Sequence, residues 1–143
     1  MLKATVCVVP AEVRGLSALT ENVVLKKGRI PRNIYNLAQS VLSTDWYHER
    51  YLAVTWEDGY HLRVPWQNGS SSGVEYETVP NTVLDIHSHG MMSAFFSGTD
   101  NKDEQGLKLY MVVGRLDTLV PEVEIRVGVY GYFARVEFDE IFS

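Results

Sequence analysis

Residues 123–130 alternate Val123, Ile125, Val127 and Val129 with Glu124, Arg126 and Gly128, a period-2 pattern that suits a strand with one covered face and not a helix. That segment commits the chain to a sheet. Shorter β-prone runs at residues 5–9, 50–56, 60–64, 74–76, 83–86, 107–113 and 132–138 bring the expected count to six to eight strands. Glu57, Asp58 and Gly59 carry turn chemistry between two of these runs, which predicts an antiparallel hairpin. One helix is well signalled, over residues 31–44, where Pro31 suits a first turn and Ile30, Ile34, Leu37, Ala38, Val41 and Leu42 recur at helical spacing. Residues 15–22 show only weak helical periodicity, and the Gly- and Ser-rich stretch 69–73 reads as a loop. The expectation is an α/β (α+β) domain with a mixed, strongly curved sheet flanked by helices.

A chain of 143 residues fits one domain, so the whole of 1–143 is taken as a single unit. Its 13 Lys plus Arg against 18 Asp plus Glu give a net charge of -5, the wrong sign for broad phosphate neutralisation, which argues against nucleic acid as a partner. Cys7 is the only cysteine and reads as a small buried hydrophobe, since it has no internal disulfide partner. No charge-free run reaches the roughly 18 apolar residues of a membrane helix, and residues 4–11 lack a cleavage pattern. The expected setting is soluble and cytoplasmic, with no membrane partner.

Chemistry concentrates in Asp85-Ile86-His87-Ser88-His89-Gly90. On a strand His87 and His89 share a face with their α-carbons about 6.5 Å apart, which lets both imidazoles reach one zinc ion. By itself His-x-His is a weak signal. Seven residues separate His89 from Ser97, and two more separate Ser97 from Asp100; this combination arises by chance in roughly a few of ten thousand sequences of this length and composition. Ser97-x-x-Asp100 is also a helix-start pattern, followed by Asp103 and Glu104 and stopped by Gly106. Both readings are compatible, because a helix start fixes an aspartate in space.

This string resembles the motif of the JAMM (MPN-plus) zinc metalloproteases at every fixed position, and the resemblance covers about residues 31–138. Ser93-Ala94-Phe95-Phe96-Ser97 also looks like the segment before the motif serine in several deubiquitinating members. The resemblance implies a JAB/MPN-like (cytidine deaminase-like) fold. It further implies zinc held by His87, His89 and Asp100 with a water in the fourth position, Ser97 stabilising the oxyanion, and an upstream glutamate moving protons. Glu49, at the start of the strand after the first long helix, matches that glutamate by position, ahead of Glu57, Glu75 or Glu77. The implied activity is hydrolysis of a peptide or isopeptide bond after the C-terminal tail of a ubiquitin-like protein.

Two departures stand out. Gly90 replaces the proline that commonly follows the second histidine, which suggests a more mobile loop. Residues 100–107 are too few for the second insertion with which eukaryotic deubiquitinases grip ubiquitin, so linkage-selective cleavage of ubiquitin chains is not expected. The run from His87 to Asp100 and the ending Val127-Gly128-Val129-Tyr130-Gly131 look like a bacterial branch such as that of the PRTRC cassette, whose members sit beside a ThiF-like activating enzyme and a small ubiquitin-like protein. The rival reading is a non-catalytic MPN scaffold, in which intact ligands have no purpose. A metal-dependent nuclease is disfavoured by the acidic balance and the single carboxylate ligand. His48 and His61 are expected at the surface, Trp46, Trp56 and Trp66 in the core, and Met91 and Met92 as packing or as a rim.

Overall fold

The computed structural model describes residues 23–69, 74–104 and 106–143. The expected strand at 5–9, the weak helix at 15–22, Cys7 and most of the serine-rich loop lie outside these residues. Helix α1 (Arg32–Ser43) leads into β1 (Tyr51–Trp56) and β2 (Tyr60–Arg63), followed by β3 (Gln67–Gly69), β4 (Val74–Tyr76) and β5 (Thr82–Ser88). Helix α2 (Gly98–Asp103), strands β6 (Leu107–Gly114), β7 (Glu122–Val129) and β8 (Tyr132–Val136), and helix α3 (Phe138–Ile141) complete the order.

Six strands form one sheet in the order β2-β1-β5-β6-β7-β8. Neighbours are antiparallel except β5 and β6, so the sheet is mixed, as expected. A parallel pair needs a crossover of a dozen or more residues, and here that connection carries α2. Register divides the sheet into two unlike faces. Leu52, Ile86, Met111, Ile125 and Val136 stand opposite one another across five strands, all 3% exposed or less, and belong to the apolar core. One residue out of phase, Tyr51 pairs with His87, Asp85 with Tyr110, and Tyr110 with Arg126. This second face is polar and carries the candidate site.

The predicted hairpin forms as read, with Trp56 opposite Tyr60 and Asp58 at φ 56° in the turn. Helix α1 also forms where predicted, with Pro31 as its N-cap, but its buried stripe is rotated. Leu37 is 52% exposed, while Tyr35 packs on the core with its ring centroid 4.8 Å from Phe138 and 5.5 Å from Phe142. The cause is the C-terminus, which the expected strand 132–138 leaves out. The strand stops at Val136 because Glu137 and Glu140 form a capping box that starts α3, and Ile141 and Phe142 become fully buried. The core therefore reaches past residue 138. Truncating Phe142 to Ala is expected to cost about 3–5 kcal/mol, read as a lower urea midpoint at unchanged m.

Sequence reading missed β3, which pairs with β4 in a separate two-stranded sheet. The Gln67 side chain clasps it to β1, accepting from Tyr51 N at 2.7 Å and donating to Tyr51 O at 2.8 Å. Among the described residues, no helix is long and apolar enough to cross a membrane.

Candidate metal centre

His87 is the penultimate residue of β5 and His89 the first beyond it. The His89 backbone N–H donates to Val113 O at 2.8 Å, which keeps the chain against β6 for one residue past the strand. Gly90 then turns away at φ +59°, a value closed to proline, whose ring holds φ near about -65°. A β-carbon there would lie 2.6 Å from Trp46 O. Gly90 is buried and its carbonyl accepts from Leu116 N at 2.9 Å, so the departure from the family's proline has a local steric basis.

The crossover next delivers Ser97 and Asp100 at the start of α2. Ser97 Oγ accepts from Asp100 N at 3.1 Å while Asp100 Oδ2 accepts from Ser97 N at 2.6 Å, a reciprocal capping box. The cap occupies one carboxylate oxygen. The other, Oδ1, lies 3.6 Å from His87 Nε2, too far for a hydrogen bond. Two donors about 2.0–2.1 Å from a tetrahedral zinc are separated by about 3.4 Å, so this spacing is that of a ligand pair.

Donor atoms of His87, His89 and Asp100 all fall within 4.8 Å of one another. His87 Nε2 is buried and has no hydrogen-bond partner, a costly arrangement for a polar atom that a metal ion relieves. Burial pushes this imidazole down to about 4 despite the opposing pull of Asp100, so its lone pair is free at neutral pH. His89 Nδ1 sits 3.2 Å from Ser93 O; donation to that carbonyl fixes the tautomer that leaves Nε2 for a metal. The residues present fit a zinc ion.

Glu49 lies in the same cleft, of about 380 Å³, with His87, His89, Ser97 and Asp100. Burial raises its carboxyl pKa, His89 opposes the rise, and Asp100 adds to it. Its backbone is set by Gly69, where a β-carbon would come 2.3 Å from Glu49 O. Glu57 and Glu77 do not line this cleft. Glu57 pairs with Arg63 at 2.7 Å beyond the far end of β1, about 20 Å along the strand from Tyr51. Glu77 is exposed after β4, and Glu75 is within β4.

Sequence reading missed the rest of the cleft wall. Tyr51 donates to Asp85, which also pairs with Lys108 at 3.0 Å, and Tyr51 stacks on Tyr76 at 3.6 Å between centroids. Burial, then Asp85, drives the Tyr51 hydroxyl far above the usual tyrosine range, and burial pushes Tyr76 and Tyr110 up to about 12. A signal existed for Asp85: it stands two residues before His87 and so shares its face. Of the tryptophans, Trp46 and Trp56 pack on the core as expected, whereas Trp66 is 72% exposed. His48 and His61 are at the surface, bonded to Asp45 and to Glu57 O. Met91 and Met92 are both exposed, and Met92 lines the cleft.

A mixed sheet flanked by helices, with a His-His-Asp cluster at the C-terminal end of its parallel strand pair, defines a JAB/MPN-type domain with a candidate metal centre. A family model described as "Prokaryotic homologs of the JAB domain" matches residues 10–126, and the chain belongs to that family. No curated protein matches the chain.

Proposed function

We propose that this chain is a zinc-dependent metallopeptidase that hydrolyses a peptide or isopeptide bond at the C-terminal tail of a ubiquitin-like protein, which a ThiF-like activating enzyme would serve. The observation that carries the reading is the buried, unpartnered His87 Nε2 facing Asp100 Oδ1 at 3.6 Å, in a cleft that also holds Glu49. A scaffold has no use for such an atom. His87, His89 and Asp100 would hold the metal, and a zinc ion bound there supplies a Lewis acid and lowers the pKa of water to about 7.

The chain's own groups do the rest. Glu49 takes a proton from the attacking water and returns it to the leaving amine. Ser97 uses a lone pair to cap α2, so its O–H remains available to donate to the developing oxyanion. Substrate enters as an extended tail along an edge of the β3–β4 sheet, whose Tyr76 lines the cleft, with glycines at the scissile end.

Metal analysis of protein purified without added zinc tests the reading, with about one zinc per chain expected for a three-ligand site. Chelation should abolish cleavage of a ubiquitin-like fusion at its tail. Metal-free, well-folded protein would favour the scaffold, and equal cleavage of bulky-residue peptides would remove the specificity for a Gly-Gly tail.

A further inference from the structure

Helix α2 carries Asp100, yet it spans six residues and buries none of them. Isolated helices shorter than about 12–15 residues are marginal in water, and α2 has no apolar face to hold it against the sheet. Its capping box sets local shape only. Something else fixes its distance from His87, to which Asp100 must be matched within a few tenths of an ångström for both to share one ion.

Arg126, on the polar face of β7, makes that connection. Its Nε and Nη2 donate to Glu104 Oε2 at 3.0 and 2.5 Å, and its Nη1 donates to Asn101 Oδ1 at 2.7 Å. The guanidinium carbon lies 3.9 Å from the Phe96 ring centroid and 3.8 Å from that of Phe133. Phe96 immediately precedes Ser97, Asn101 immediately follows Asp100, and Glu104 is the C-cap of α2. One buried side chain on β7, the strand next to the sheet edge, thus holds the motif segment at both ends, using forked hydrogen bonds and two-sided stacking that only a guanidinium offers together.

We infer that Arg126 is a positioning residue for the metal centre: by gripping Phe96, Asn101 and Glu104 it sets where Asp100 stands relative to His87 and His89. This rests on the zinc reading above and assigns Arg126 no contact with substrate.

The test is zinc affinity, by competition with a chromophoric chelator, together with the visible spectrum of the cobalt(II)-substituted protein, both measured well below the melting temperature. Arg126→Lys keeps a charge beside Glu104 but loses the fork and the stack, and Arg126→Met keeps only bulk. Each is expected to weaken zinc by about 10- to 100-fold and to lower the tetrahedral cobalt absorption. Phe142→Ala, on the opposite face of the sheet, loses stability without touching α2 and should keep wild-type affinity and spectrum. If Arg126→Met fails to fold, Arg126→Lys decides. Affinities within twofold of wild type in the folded Arg126 variants, or an equal loss in Phe142→Ala, would overturn the inference alone. A wild-type chain that binds no zinc would overturn it together with the proposed function.

Discussion

Glu49→Gln is expected to lower kcat by about a thousandfold to ten-thousandfold, the upper part of the range for loss of a general acid-base group, because in the proposed reaction one carboxylate serves both proton transfers. Zinc content and melting temperature should stay at wild-type values. The side chain shares the cleft without belonging to the ligand cluster, and the amide keeps its size. Glu57→Gln is the control: its partner is Arg63 at 2.7 Å, and it should leave the rate within a few fold. Loss of activity in Glu57→Gln with retention in Glu49→Gln would place the proton shuttle elsewhere and leave the metal centre standing. Ser97→Ala should be milder, about tenfold to a hundredfold in rate, with about 1 kcal/mol of stability lost along with the helix cap.

Asp100→Ala should reduce zinc from about one per chain to background and take activity with it, because two imidazoles alone are one ligand short of a catalytic site. The same change removes half of the capping box, since Asp100 Oδ2 accepts from Ser97 N at 2.6 Å. Asp100→Asn separates these effects. An amide oxygen still caps Ser97 N–H, so folding stability should recover by about 1 kcal/mol relative to Ala, while an uncharged side chain remains a poor ligand and zinc stays low. Full zinc in Asp100→Asn would mean that the carboxylate charge is not what binds the metal.

The His-His-Asp cluster was legible because its parts obey local rules. Strand alternation puts His87 and His89 on one side, and a helix-start pattern marks where Asp100 is presented. Glu49 was read by position after the first long helix; it stands two residues ahead of β1 and lines the same cleft. Arg126 was hidden by the same alternation that revealed β7. In a period-2 pattern an arginine between Ile125 and Val127 reads as the wet face, yet Arg126 is only 8% exposed, because α2, Phe96 and Phe133 cover that face. Sequence periodicity reports polarity, and polarity is not exposure once a polar face acquires a lid. Leu37 and Tyr35 show the converse: the stripe on α1 was centred correctly to within one residue, but which flank packs was decided by Phe138 and Phe142, more than a hundred positions away in the chain. Gln67 was illegible for a related reason, since its side chain stands in for a backbone strand partner.

The crossover between the two parallel strands is pinned at nearly every step. Gly114 admits no β-carbon because Met92 O, Ala94 N and Ser93 C would lie 2.4–2.5 Å from it, Ala94 N donates to Glu122 at 3.1 Å, and Arg126 holds Phe96, Asn101 and Glu104. One jaw of the cleft is therefore cast in place. The β3–β4 hairpin opposite pairs with itself and is tied to β1 by the Gln67 clasp. A protein engineer seeking a new ligand for this cleft should diversify the hairpin and leave the crossover untouched: lengthening one jaw re-aims the bite, whereas lengthening the other dislodges the teeth.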